Sequence, residues 1–446
     1  MPTGPRMSAH GLRRTLAISA TAGIAGGLLL GAAGPAHATH ASDGEESSAP
    51  SLPSYPAPGQ PLPTPAPEEA ADAADAADTT VAKAEGDVRV ATLHAGLTGD
   101  SAETVLETLR GGHSPAARTV ARTAHLNAPD ILVLTGITHD SDGRIADTLN
   151  ARYLAPAGLD LPYVYTAPTN SGIDSGTDLD GDGRIGGPGD ALGYGEFPGQ
   201  HGMVVYSAYP ILEDEVRTFQ DFLWQDMPDN SLPQADYSDL DKSVLRLSAT
   251  SLWDVPVEIG DDGETLHVIA NSQTPEQEAR SFDDVRAADE RRFIEDYVSA
   301  DPQGGAYIYD DVGEAGALEP DSSFVVVGEP GAGPGDSAPA EAEPEDDRDL
   351  PLLDSPAVQD PLPEAVTDQP LSARAGDDTD TDEHATRAVE GEPDRRVSLV
   401  LPDAEVEVSD SGIFWPAEGE FGFDLVDPAG NAVLADRLVW VDLQAP

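Results

Sequence analysis

The alternating aspartates of Asp178-Leu-Asp180-Gly-Asp182-Gly183-Arg184-Ile185 imply chemistry more directly than any other stretch of this 446-residue sequence. Carboxylates two residues apart in a tight turn converge on one hard cation; glycine permits the bend, and the Arg184 carbonyl adds an oxygen. Calcium is the expected occupant, in a structural role. Gly189 stands at the twelfth position, where a complete loop of this kind carries a bidentate glutamate. Asp190, or Asp174 from the other side, can substitute. The expected ligands are thus Asp178, Asp180, Asp182, Arg184 and Asp190, and the competing reading is a solvated acidic turn.

The elements that must hold this loop are legible from periodicity. Val88 to Leu93 alternates as a strand, and Ile131 to Leu134 is a short apolar run suited to a buried one. Between them Ser114 can cap a helix whose apolar positions are Ala117, Val120, Ala121 and Ala124, closed by Pro129. Further strands are expected at 203–206, 244–251, 266–270, 324–327, 397–401, 413–415 and 437–443. A helix between Ser281 and Ala300 carries Phe282, Val285, Phe293, Ile294, Tyr297 and Val298 as an apolar stripe. Many strands and few helices predict an α+β fold of two packed sheets flanked by helices.

Around this core the composition changes. Met1 to Ala38 has a basic start ending in Arg13-Arg14, an apolar stretch from Leu16 to Leu30 and the exit Ala36-His37-Ala38, so it reads as a signal peptide cleaved after Ala38. The arginine pair fits a twin-arginine signal or an ordinary basic start. Residues 39–86 form a Pro-, Ala- and acid-rich linker, the folded domain occupies 87–446, and 331–395 is expected to be a mobile acidic insertion. No later segment is apolar for long enough to span a membrane. With 82 acidic against 24 basic residues, a net charge of −58, the surface repels nucleic acid. There is no cysteine, so the expected extracellular monomer gains nothing from disulfides.

In this order the segments resemble the endonuclease/exonuclease/phosphatase superfamily, in a secreted bacterial branch. The carriers are Val88-Arg-Val-Ala-Thr-Leu-His94, Pro129-Asp-Ile-Leu-Val-Leu134, Tyr163-Val-Tyr165-Thr-Ala-Pro-Thr-Asn170, the acidic loop, Phe197-Pro-Gly-Gln-His-Gly-Met203, Arg217-Thr-Phe-Gln-Asp-Phe-Leu-Trp224, Ser251-Leu-Trp-Asp-Val-Pro256 and Gly412-Ile-Phe-Trp-Pro416. The resemblance covers nearly the whole mature domain. It implies a four-layer sandwich, two mainly antiparallel sheets between helices, that cleaves phosphate esters with a divalent cation.

The residues that this chemistry requires are replaced. His94 stands for the family's metal-orienting Asn, Gly136 for its metal-binding Glu, and Ser272 for its phosphate-contacting His. Glu329 and Gly331 stand for an Asp-x-Asn pair, Ser398 for a further Asp, and Ala435 and Asp436 for the final Asp-His dyad. Loss of general acid-base help alone removes a factor of about 10² to 10⁴ in rate. The expectation is a pseudoenzyme that retains the frame for binding or scaffolding, with structural calcium and no catalytic magnesium or manganese. Two rivals are an active phosphoesterase whose His94, Glu329 and Asp436 form a rearranged site, and a calcium-dependent extracellular interaction module. Its ligand or protein partner is not specified by the sequence. Trp224, Trp253, Trp415 and Trp440 suit either a ligand cleft or the core.

Overall fold

The computed structural model describes residues 80–444 apart from 235–236, 261–262, 273–282, 300, 302, 331–351, 366–383, 388–394, 417–418, 427–433 and 435. The expected signal peptide, most of the linker, Gly331, Ala435, Phe282 and the expected helix bounds Ser281 and Ala300 therefore lie outside the described residues.

Among the described residues, eleven strands build two sheets. The first comprises β1 (Asp87–Leu97), β2 (Ile131–Ile137), β3 (Tyr163–Tyr165), β4 (Gly202–Ser207), β10 (Val408–Ile413) and β11 (Val439–Gln444), in the order β10-β11-β1-β2-β4-β3. The second comprises β5 (Arg217–Thr218), β6 (Ser251–Ile259), β7 (Glu264–Ser272), β8 (Ser323–Glu329) and β9 (Leu399–Pro402), in sequence order. Only the β1–β2 and β7–β8 pairs are parallel. Each needs a crossover, and the sequence supplies helices there. Between β1 and β2 lie α1 (Ala102–Arg110) and α2 (Pro115–Asn127), followed after β2 by α3 (Arg144–Leu149); between β7 and β8 lies α5 (Asp283–Val298).

The helix α2 forms as its sequence demands. The Ser114 hydroxyl accepts the Ala117 N–H, Pro115 occupies the first turn, and Ala117, Val120, Ala121 and Ala124 are buried. The expected strand at 244–251 is different: residues 239–244 form a short helix, α4, and β6 begins only at Ser251. The cause is a capping box in which the Ser238 hydroxyl accepts the Asp241 N–H and the Asp241 carboxylate accepts the Ser238 N–H. The helix α1, missed from sequence, buries only Val105, Leu106 and Leu109, too few positions to declare a period.

Two cores result. One fills the space between the sheets and beneath α1 to α3; the other lies between the second sheet and α5 and is rich in Phe219, Phe222, Phe293 and Tyr297. The expected stripe on α5 is half right. Phe293, Ile294, Tyr297 and Val298 are buried, but Val285 is exposed, and the first half of the helix buries Arg286, Asp289, Glu290 and Arg291 instead. All four tryptophans are core residues, Trp224 donating to Asp289 Oδ2 at 2.6 Å.

The chain is already held before β1. Arg89, fully buried, pairs bidentately with Asp442 on β11 (2.6 and 2.7 Å), stacks 3.9 Å from the Trp440 ring, and donates to the Val81 and Ala82 carbonyls. Two stretches of the expected insertion are also built into the fold, contrary to a wholly mobile excursion. Residues 352–365 bridge to Asp403 and Ile413, and residues 384–387 bridge to Arg395 and Asp436. Their short apolar positions, Leu352, Val358 and Ala385, are buried where the surrounding composition is acidic.

Candidate functional site

The inner faces of the two sheets meet at the C-terminal ends of β1, β2 and β8. On β8, Val325 and Val327 join the inter-sheet core, and the two-residue period carries Glu329 onto the same face. On β1 the same face presents His94, beside Thr135 of β2. His94 Nδ1 donates to the Glu329 carboxylate at 3.1 and 3.2 Å, and Asp436, just before β11, completes a trio whose ligand-capable atoms lie within 4.8 Å of one another.

A guanidinium is already inside this trio. Arg387 donates through Nε to Asp436 Oδ1 at 2.6 Å and through Nη2 to Glu329 Oε1 at 3.3 Å. The strand-like 384–387 segment that carries it is stitched on both sides. Arg387 and Arg395 exchange backbone hydrogen bonds, the Arg437 N–H reaches the Thr386 carbonyl, and the buried Thr386 hydroxyl accepts from Val397 and Ser398. Arg387 escaped the sequence reading because its neighbourhood is acidic and irregular; the available signal was His384-Ala-Thr-Arg387, a break in the run of aspartates.

Electrostatics follow from the geometry. Burial of His94 opposes its charge, but the Glu329 carboxylate outweighs that and raises the imidazole to about 9. Burial likewise opposes Glu329 ionisation, yet His94 and Arg387 together hold it down at about 2. Burial raises Asp436 above the usual carboxylate range, against the pull of Arg387. His201 is pushed down to about 4 by burial and by the charged His94. At neutral pH the cleft holds an imidazolium and a guanidinium against the ionised Glu329 and the buried Asp436. A protonated His94 is a poor general base.

The pair should leave a signature in stability. His94 is raised from 6.5 to about 9, so its contribution is complete below pH 6.5 and lost as pH rises through 9. Glu329 is lowered from 4.5 to about 2, so its contribution is present above pH 4.5 and lost as pH falls through 2. The unfolding midpoint of the wild type is expected to fall between pH 6.5 and 9 more steeply than that of His94→Gln. Parallel curves would rule the pair out as a stabilising element.

Neighbouring positions explain the room for this network. Gly136 sits at φ +59°, and a Cβ there would lie 2.3 Å from His94 Nε2. The imidazole thus occupies the space that a side chain at 136 would need. Ser272 is buried at the end of β7, the cross-strand neighbour of both Ser251 and Glu329. Ser398 is buried, and among the described residues its Oγ has no hydrogen-bond partner. A magnesium or manganese ion asks for several oxygen ligands. Here His94 and Arg387 already neutralise the carboxylates, so the residues present do not fit such an ion.

The acidic loop is a separate cluster. Asp178, Asp180 and Asp190 bring ligand-capable atoms within 4.8 Å of one another. Asp190 is buried and accepts the N–H groups of Leu179 (2.6 Å) and Gly186 (2.8 Å), and it, not the exposed Asp174, joins the cluster. Asp182 stands outside the trio, its Oδ1 taking the Arg184 N–H at 2.7 Å. Gly189 is explained by contact: a Cβ there would lie 2.1 Å from Asp180 Oδ2.

The sequence profile of the Endonuclease/Exonuclease/phosphatase family matches residues 109–328. Residues 109–328 carry the endonuclease/exonuclease/phosphatase family domain. No curated protein matches the sequence. Among solved structures, the family member from Beutenbergia cavernae is 17% identical with a TM-score of 0.41, covering 80% of this chain and 72% of that one. Truncated Caenorhabditis elegans TDP2 is 13% identical (TM-score 0.38; 82% and 100% covered), and sphingomyelinase C from Streptomyces griseocarneus is 14% identical (TM-score 0.37; 80% and 99% covered). The two sheets flanked by helices are the family's α+β fold.

Proposed function

We propose that this domain is a catalytically silent member of the endonuclease/exonuclease/phosphatase family, exported by its N-terminal segment and used to bind an extracellular ligand or protein. The observation that carries the reading is Arg387, whose guanidinium bridges Glu329 and Asp436 where a catalytic cation would need carboxylates free. The His94 ring packed over Gly136 supports it, because restoring a carboxylate at 136 is sterically blocked. The net charge of −58 argues against nucleic acid as the ligand.

The competing reading is an active phosphoesterase with a rearranged site, favoured by the convergence of His94, Glu329 and Asp436. Purified protein offered bis-p-nitrophenyl phosphate with magnesium, manganese, calcium or zinc separates the two. We expect no turnover above the metal-only rate. Turnover that disappears in His94→Ala would overturn the silent reading.

Calcium belongs to the proposal as a structural ion at Asp178, Asp180 and Asp190. Extracellular sites of this kind bind at about 10⁻⁴ to 10⁻³ M. Millimolar calcium is expected to raise the melting temperature of the wild type and not of an Asp180→Ala, Asp190→Ala double variant. Equal shifts in both would remove calcium from the account.

A further inference from the structure

We draw no further inference here: the strongest candidate, the Asp178, Asp180 and Asp190 cluster whose loop reaches the cleft wall through the Ser171 Oγ that accepts the His201 N–H at 3.1 Å, is an acidic cluster that belongs to the calcium site already proposed, and nothing else among the described residues points to a ligand there.

Discussion

Arg387→Ala is expected to destabilise the domain by about 3 kcal/mol, the lower end of the range for removing one partner of a buried ion pair. The lower end applies because Asp436, already raised by burial, can take a proton once its guanidinium is gone. Glu329 keeps its partner His94, so the damage centres on Asp436 and on the 384–387 segment that Arg387 anchors. The same substitution should change what the site accepts. With the guanidinium removed, an imidazole and two carboxylates converge, a donor set suited to zinc at about 2.0–2.2 Å. Zinc is therefore expected to stabilise Arg387→Ala and to leave the wild type unchanged in urea unfolding. Zinc stabilising both equally would show that the guanidinium does not hold the cation's place. Arg387→Lys should keep charge but lose the two-pronged contact, and fall between the two.

Gly136→Ala should be nearly as damaging, for a steric reason. A left-handed backbone costs an alanine about 1–2 kcal/mol, and overpacking a filled site adds about 1–3 kcal/mol. The new methyl would meet His94 Nε2 and Cε1 at 2.3 and 2.4 Å, so the ring must swing away and break its bond to Glu329. The steric part should vanish when His94 is also removed. In a cycle of wild type, Gly136→Ala, His94→Ala and the double variant, the double variant is expected to be more stable than the sum of the singles by more than 1 kcal/mol. Strict additivity would mean that the ring and the glycine did not share that space. His94 and Gly136 thus share one space, and a larger residue at 136 requires a smaller one at 94.

What the sequence disclosed and what it hid divide along physical lines. Buried strands such as Ile131–Leu134 and Phe324–Val327 declare themselves because continuous apolar runs have few other fates. The helix α2 declares itself through Ser114, Pro115 and its stripe. The 239–244 helix is hidden because its stability comes from one capping box, which an apolar count at Val244 and Leu245 outvotes. The buried charges on α5 are hidden because their partners, such as Trp224 and Ala249, arrive from distant segments. In the cleft, His94, Glu329 and Asp436 could be placed at strand ends, but Arg387 could not, since its position is fixed by pairing with Arg395 and Asp436 and not by any period.

The Arg89–Asp442 pair joins residues 353 positions apart in the chain, and the strands that carry them, first and last in sequence, are neighbours in the sheet. A chain emerging from its N-terminus onward holds Arg89 without its carboxylate until Asp442, 353 residues later, has been made. Until then β1 has an open edge, and the contacts with the largest sequence separation, the slowest to form, are still to come. Folding of the first sheet therefore waits for β11. Deleting only the last strand should leave residues that resemble a nearly whole domain yet behave as an unfinished one.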